Sequence, residues 1–237
     1  MTDTPPAARK ADPQEQGAAG DPPRGWRRRA ARGALALIVL LALGLRLHGI
    51  GFGLPSLNDP DEPLFMMTAF EMLKHRTLNP GWFGHPATTT FYALALVLLG
   101  VAGFSIGSGR YAGIKAFGDA AYADPGIAFL PARMLMAAFG VACVWLVHRI
   151  GRRLGGEKLG LIAALLLAVN AIHIEYSQII RTDVQASLFM LLGALSALAI
   201  ARDGRRRDYM LAGVFAGLAC ATKWPAALIL ANALGAG

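Results

Sequence analysis

The sequence is poor in charged residues and in cysteine, and both shortages limit the class of protein it can encode. Asp, Glu, Lys and Arg make up only 16% of its 237 residues, hydrophobic residues make up 55%, and the mean hydropathy is +0.45. This composition excludes an ordinary soluble domain. Cys143 and Cys220 stand inside apolar segments, where cysteine acts as a small hydrophobic residue. Neither a disulfide framework nor a cysteine metal site is therefore predicted.

Motifs for nucleotide and metal chemistry are also absent from the sequence. It contains no Walker loop, no dinucleotide-binding glycine fingerprint, no HExxH pair and no CxxC pair. An ATP-driven or nucleotide-sugar activity is therefore unsupported, and we predict no cofactor and no metal. The net charge is +8, but the basic residues are concentrated in short connectors beside apolar runs. That pattern reports membrane topology and does not indicate nucleic-acid binding.

Long apolar runs dominate the remaining sequence. A helix needs about 20 apolar residues to cross a bilayer, and the runs here do not alternate with the period of two that an outer-membrane barrel requires. We predict an all-α integral membrane protein, with a multi-span helical module at 33–237 that follows a disordered basic cytoplasmic tail at 1–32. The apolar windows are 33–50, 91–107, 128–148, 159–172, 184–201 and 209–234.

The distribution of arginine and lysine decides how segment 85–107 is placed. If this segment crosses the membrane, the basic connectors GRRLGGEK and RDGRRRD lie outside the cell, and if it lies on the surface they are cytoplasmic. The positive-inside rule favours the second arrangement. We therefore predict five spans in the plasma membrane, a cytoplasmic amino terminus, and one external loop from 51 to about 127. Two juxtamembrane helices in this loop, 63–76 and 85–107, contact membrane lipids.

Three carboxylates, Asp59, Asp61 and Glu62, precede the first juxtamembrane helix. In a structural interpretation Pro63 opens the helix, Glu62 caps it, and the acids complement its dipole. In a functional interpretation one carboxylate is a general base that accepts a proton from an acceptor hydroxyl at the membrane surface. Because one acid is enough for a cap, the presence of two further acids favours the functional interpretation.

Four further ionisable positions lie where the topology predicts the external face, and each has a structural alternative. His85, in a His-Pro pair, either belongs to an ordinary helix start or faces a phosphate. Arg133, near the start of span 128–148, either extends its head group to the interface or binds a lipid phosphate. Arg181 and Asp183 form either a helix-capping ion pair or a pair that orients a sugar.

Lys223 is the position that a structural interpretation explains least well. In an uninterrupted span 209–234 it lies in the outer half of the bilayer, about 22 Å along the helix from Asp208 at 1.5 Å per residue. Its side chain either extends outward or contacts a phosphate, and the neighbouring Trp224 and Pro225 predict a kink at which the backbone opens.

The order and spacing of these motifs resemble the polyprenyl-phosphate-dependent membrane glycosyltransferases of the protein O-mannosyltransferase and aminoarabinose-transferase-like group, which have the GT-C fold. The resemblance runs from about residue 33 to the end of the sequence. It is carried by the pair Asp61-Glu62, the pair His85-Pro86, R-x-x-x-A-x-F-G from Arg133 to Gly140, GRRLGG, LLLAVNAIHIEYSQIIRTD and GLACATKWPAAL.

The resemblance implies an inverting transfer of a hexose or pentose from a polyprenyl-monophosphate donor to an acceptor hydroxyl on the external face. Asp61 would be the base, and Glu62 beside it would contact acceptor or donor. The acceptor stays open between a protein, a lipid and a polysaccharide of the cell envelope. The residues implied to contact the substrate or its phosphate are His85, Arg133, Arg181, Asp183 and Lys223.

Two other classes of protein also stay open. A transporter or flippase subunit would line a pathway with Arg133, Asp183 and Lys223, and it predicts repeated halves, which the sequence does not show. A scaffold or an inactive fragment of a glycosyltransferase predicts that Asp61 can be replaced without effect. Members of the resembled group usually have more spans, so we expect the module to be incomplete at its carboxy-terminal end.

Overall fold

The computed structural model describes residues 24–81 and 87–236, and within these ranges all regular elements are helical. Among these described residues, four helices are long and apolar enough to cross a membrane, namely α1, α3, α5 and α7, and the predicted class of all-α integral membrane protein is confirmed. The helices are α1 (Arg24–Leu47), α2 (Asp61–Lys74), α3 (Thr88–Gly107), α4 (Ile114–Ala123), α5 (Gly126–Ala168), α6 (Ala171–Gln178), α7 (Thr182–Asp203), α8 (Arg206–Thr222) and α9 (Ile229–Leu234), with a 3-10 turn at Trp224–Leu228.

The first helix begins earlier than the sequence predicts. The predicted disordered tail extends to residue 32, whereas α1 starts at Arg24. The segment RGWRRRAARG is rich in Arg and Ala, which are strong helix formers, so the helix of the apolar run continues back through it. The rest of the predicted tail, residues 1–23, lies outside the described ranges.

The helix α5 is a hairpin that bends at two glycines. Gly155 and Gly156 leave the helical region, and the φ of 84° at Gly156 lies in the left-handed region that favours glycine. A Cβ atom built on Gly151 would lie 2.9 Å from the Cα atom of Gly160, so the two limbs pack closely beside the bend. The limbs, 126–154 and 157–168, correspond to the predicted spans 128–148 and 159–172.

The chain reverses direction at Lys223, and this reversal corrects the predicted span 209–234. The helix α8 ends at Thr222, and Lys223 is extended, with φ −155° and ψ 116°. The chain then returns along α7, where Ile229 lies 3.0 Å from the position that a Cβ atom would take on Gly193. The apolar run is continuous in the sequence, but Pro225 has no N–H with which to continue the helix. The predicted break near this proline is therefore confirmed.

The helices α2, α3 and α4 form a separate layer on the first turns of α5. The ring of Phe65 in α2 lies 6.0 Å from that of Phe91 in α3, and both are buried with Leu94 and Phe129 in one hydrophobic cluster. Because α3 is long and apolar enough to span a membrane, its position on the membrane surface stays a prediction. The predicted juxtamembrane helices 63–76 and 85–107 correspond to α2 and α3.

Candidate active site

One end of the helical bundle brings together residues that are far apart in the sequence. At this end α1, α8 and the second limb of α5 finish, and α7 begins. Arg46 near the end of α1 donates to the carbonyl oxygen of Ala168 at 3.2 Å, and Lys223 after α8 pairs with Asp183 in the first turn of α7. We call this end the site end.

Glu62 and Arg133 form a fully buried ion pair behind the surface of the site end. Both side chains are 0% exposed, and the guanidinium binds both carboxylate oxygens, through Nε at 2.8 Å and Nη2 at 2.5 Å. Its Nη1 atom donates to the carbonyl oxygens of Ile50 at 2.9 Å and Phe52 at 2.7 Å. Buried ion pairs need such additional hydrogen bonds to offset the cost of desolvation.

The Glu62 carboxylate also fixes the segment that leads into α7. Its Oε1 atom accepts a hydrogen bond of 2.9 Å from the backbone N–H of Ile180, and Ile180 is itself buried. The next residue is Arg181. The buried pair therefore ties the start of α2 to the backbone that carries Arg181.

Asp59 caps the first turn of α2. Its Oδ1 atom accepts hydrogen bonds from the backbone N–H groups of Asp61 at 3.0 Å and Glu62 at 3.3 Å. Glu62, the predicted cap, does not cap the helix; it lies in the first turn of α2 and its side chain is buried. The helix starts at Asp61 and not at Pro63. Asp59 three residues before Glu62 matches the spacing of a capping box, the signal in the sequence that identifies such a cap.

Arg181 links the mostly buried Asp59 to the half-exposed Asp61. Its Nη2 atom lies 3.1 Å from Oδ2 of Asp59 and 3.1 Å from Oδ2 of Asp61, and the ring of Tyr176 packs 5.7 Å from its Cζ atom. Partial burial lowers the pKa of the guanidinium, but the charges of Asp59 and Asp61 together outweigh burial, so the pKa of Arg181 lies above its ordinary value. Arg181 is therefore a permanent cation beside Asp61.

Lys223 forms the second cation-carboxylate pair of the site end. Its ammonium group donates to Oδ1 of Asp183, and the two side chains are 42% and 32% exposed. Below this pair the buried Thr222 shares a hydrogen bond with Thr89 of α3, and Thr90 donates to Gln185 of α7 at 2.8 Å. The start of α3 is thus fastened to the helices that carry the pair.

The two ion pairs border one cavity of about 320 Å³, which lies within the size range of small-ligand sites. Asp61 lines it with a side chain that is 51% exposed. A half-exposed carboxylate beside two cations can accept a proton while the cations bind an anion. The cavity is lined by Asp61, Phe65, Arg181, Thr182, Asp183, Lys223, Trp224 and Pro225.

Four of the predicted site residues thus share the cavity, namely Asp61, Arg181, Asp183 and Lys223. Glu62 and Arg133 lie behind it, and because every nitrogen of Arg133 already donates to a protein oxygen, the geometry offers no support for its predicted contact with a phosphate. His85 lies outside the described residues. Sequence reasoning missed Asp59, Thr89 and Thr222, and the last two carry no signal besides being polar near a helix end.

Among the described residues no group of three or more His, Cys, Asp or Glu side chains is arranged to hold a metal ion. The acids of the site end are instead occupied by Arg133, Arg181 and Lys223.

The helices define an integral membrane protein, and comparison with known families narrows the class for part of it. Residues 126–236 match the family model described as dolichyl-phosphate-mannose-protein mannosyltransferase. This part of the chain contains Arg133, Arg181, Asp183 and Lys223 and is similar to a family of membrane glycosyltransferases. Asp59, Asp61 and Glu62 lie before the matched residues. No curated protein and no solved structure matches the chain significantly.

Proposed function

We propose that this chain transfers a sugar from a polyprenyl-monophosphate donor to an acceptor hydroxyl at the external face of the plasma membrane. The similarity of residues 126–236 to a mannosyltransferase family supports the class of donor. The observation that carries the proposal is the cavity in which the half-exposed carboxylate of Asp61 opens beside Arg181 and Lys223. The cavity therefore combines a carboxylate that can act as a base with two cations that can bind the departing phosphate.

In the proposed reaction Asp61 removes the proton of the acceptor hydroxyl. The acceptor oxygen forms a bond to the anomeric carbon of the sugar, and the bond between that carbon and the phosphate oxygen breaks on the opposite face. The electron pair of the broken bond stays with the polyprenyl monophosphate, and the configuration of the sugar inverts. A positioned carboxylate contributes about 10²-fold to 10⁴-fold to such a proton transfer.

Arg181 and Lys223 stabilise the negative charge that develops on the departing phosphate. The contacts of Arg181 with carboxylates run through Nη2, and within the described part of the chain its Nη1 atom has no hydrogen-bond partner. That nitrogen can bind a phosphate oxygen without releasing Asp59. Lys223 binds a phosphate oxygen when its ammonium group releases the carboxylate of Asp183. The interactions of Arg181 and Lys223 with the phosphate are both strong in a low-dielectric site.

Glu62 and Arg133 support the site from behind in this proposal. Their buried pair holds the backbone of Ile180, and thereby Arg181, against the start of α2. We assign them a positioning role in place of the direct contacts with substrate and phosphate that the resemblance implies.

The proposed external position of the cavity is open to a separate test. A cysteine placed at Ser108, after the end of α3, should react with a membrane-impermeant thiol reagent added outside intact cells, because the positive-inside rule keeps loop 51–127 external. The matched position is Lys158 beside the bend of α5, where a cysteine should react only after the cells are opened. Reaction of Ser108→Cys only in opened cells would overturn the proposed topology.

The proposed activity is tested with membranes that contain the chain. They are supplied with polyprenyl-monophosphate donors that carry a radiolabelled hexose or pentose. Release of free polyprenyl monophosphate is measured together with transfer of label from the donor to a protein, polysaccharide or lipid acceptor. We expect both products in equal amounts with at least one donor. Release no greater than in membranes that lack the chain, for every donor, would exclude the proposed activity.

A further inference from the structure

Two apolar grooves lie on the layer formed by α2, α3 and α4, and they share no lining residue with the cavity of the candidate active site. The larger, of about 570 Å³, runs between these three helices, and the smaller, of about 380 Å³, runs between α2, α4 and the start of α5. Both volumes fall within the range of about 300–1,000 Å³ that is typical of small-ligand sites. Phe70, Lys74 and Gly118 line both grooves, so the two grooves meet at these residues.

The interiors of the grooves are apolar and partly open. Leu99 and Ile114 line the larger groove and are 53% and 69% exposed, and Tyr122 in the smaller groove is 90% exposed. Exposed apolar area of this kind marks a surface that another apolar molecule covers. An acyl chain lying in each groove would cover these side chains.

The charges at the rim of the larger groove are positive. Lys74 and Arg76 line it and no acidic residue does, while Glu71 lines the smaller groove and pairs with Lys74 at 3.0 Å. Arg76 is exposed and has no acidic partner within 4.0 Å among the described residues. Apolar walls with a cationic rim are complementary to a lipid that carries a negative headgroup.

We propose that this layer binds one anionic phospholipid with two acyl chains, one chain in each groove and the phosphate at Lys74 and Arg76. The meeting of two grooves at Phe70 favours a two-chain lipid over a polyprenyl phosphate, which has a single chain. Neither groove is lined by Asp61, Arg181 or Lys223. The site is therefore separate from the proposed donor site and does not depend on the proposed function.

Gly118 offers a way to fill the site without disturbing the fold. A Cβ atom at this position would meet nothing within 4 Å, and leucine is a better helix former than glycine, so Gly118→Leu projects into the grooves from an intact α4. Gly103→Leu is the matched control, because Gly103 in α3 is equally open and lines neither groove. Arg76→Asn removes the rim charge and suits the left-handed φ of 51° at this residue.

The proposal is tested by native mass spectrometry of the purified chain in mild detergent. Phosphatidylglycerol, phosphatidylcholine and a polyprenyl monophosphate are titrated separately. We expect one phosphatidylglycerol per chain, bound roughly five to ten times more tightly than phosphatidylcholine, and a similar loss of affinity in Arg76→Asn. Gly118→Leu should lose the bound lipid, and Gly103→Leu should keep it.

Two results would overturn the proposal. One is binding of phosphatidylglycerol to Gly118→Leu with the affinity of the unaltered chain. The other is tighter binding of polyprenyl monophosphate than of phosphatidylglycerol, lost in Gly118→Leu and kept in Gly103→Leu, since the grooves would then hold the single-chain carrier.

Discussion

Asp59 is joined to Arg181 by an ion pair in which Oδ2 of the carboxylate lies 3.1 Å from Nη2 of the guanidinium. The other oxygen of the same carboxylate caps α2. Asp59 therefore fixes Arg181 to the helix that carries Asp61, and it shares with Asp61 the positive charge of Arg181. The spacing of Asp59 and Glu62 signals the cap in the sequence, whereas nothing in the sequence signals the ion pair with Arg181.

Replacing Asp59 by Asn should lower turnover through Arg181. The amide oxygen of Asn still caps the helix, but Arg181 is then left to pair with Asp61 alone and restrains the proposed base. We expect turnover to fall about tenfold, equivalent to about 1.4 kcal/mol, with the KM for the donor unchanged. Steady-state transfer assays measure both constants.

A double substitution separates this role from a purely structural one. In an Arg181→Gln background, Asp59→Asn should have no further effect on turnover, because the partner through which it acts is gone. A persisting tenfold loss in that background would mean that Asp59 acts only by capping α2.

Breaking the pair of Glu62 and Arg133 should destabilise the whole chain. Removing one partner leaves a buried charge without compensation, which costs about 3–5 kcal/mol, and Arg133→Met should therefore lower the thermal unfolding temperature strongly. The control is Arg205→Met, because Arg205 is exposed on a connector. An unfolding temperature equal to that of the control, together with a raised KM for the donor, would instead support a direct contact between Arg133 and the carrier phosphate.

Lys223 and Asp183 should have opposite effects on donor binding. Lys223→Gln removes a cation from the cavity and should raise the KM for the donor, whereas Asp183→Asn frees Lys223 from its carboxylate and should lower it. Lys158→Gln at the bend of α5 is the charge-matched control. A KM that rises equally in Lys223→Gln and Asp183→Asn would contradict the proposed exchange and assign the pair to structure.

The stability of the site end should fall in acid through His173 of α6. Its Nδ1 atom accepts a hydrogen bond from Arg46 at 2.9 Å, and burial, followed by the charge of Arg46, lowers the pKa of His173 from 6.5 to about 4. Protonation therefore favours the unfolded chain, and the stabilising contribution is complete above pH 6.5 and is lost as the pH falls toward about 4.

The measurement for His173 is the unfolding temperature as a function of pH. His173→Asn keeps an acceptor for Arg46 but does not titrate, so the decline between pH 6.5 and about 4 should become shallower. The control is His48→Asn, at an exposed residue. If the unfolding temperature of His173→Asn fell as steeply between pH 6.5 and about 4 as that of the unaltered chain, protonation of His173 would not cause the loss of stability.

Hydropathy predicts most of the helices here and misses the path of the chain after α8. The central parts of α3 and α7 are apolar, and their helices follow from length and composition alone. The reversal at Lys223 is different, because window 209–234 is equally apolar on both sides of it. Pro225 predicts a break, but the direction of the chain after the break is set by packing of Ile229 on Gly193.

The site is predictable as a set of residue types and not as a set of partners. The topology brings the acids after α1 and the Arg-Asp pair at the start of α7 to the same end of the bundle. Which acid meets which cation depends on side-chain direction within single turns, so Arg133 could not be assigned to the buried Glu62 or Arg181 to the exposed Asp61. The exposure of the Asp61 side chain in the cavity supports the role that we propose for it.

The central claim is that Asp61 is the base of a glycosyl transfer, and Asp61→Asn tests it most directly. The substitution keeps the size of the side chain and removes its ability to accept the proton. Release of polyprenyl monophosphate should fall by about 10²-fold to 10⁴-fold, while Asp119→Asn, at an exposed acid of α4, keeps the rate of the unaltered chain. Equal rates for Asp61→Asn and Asp119→Asn would contradict the account.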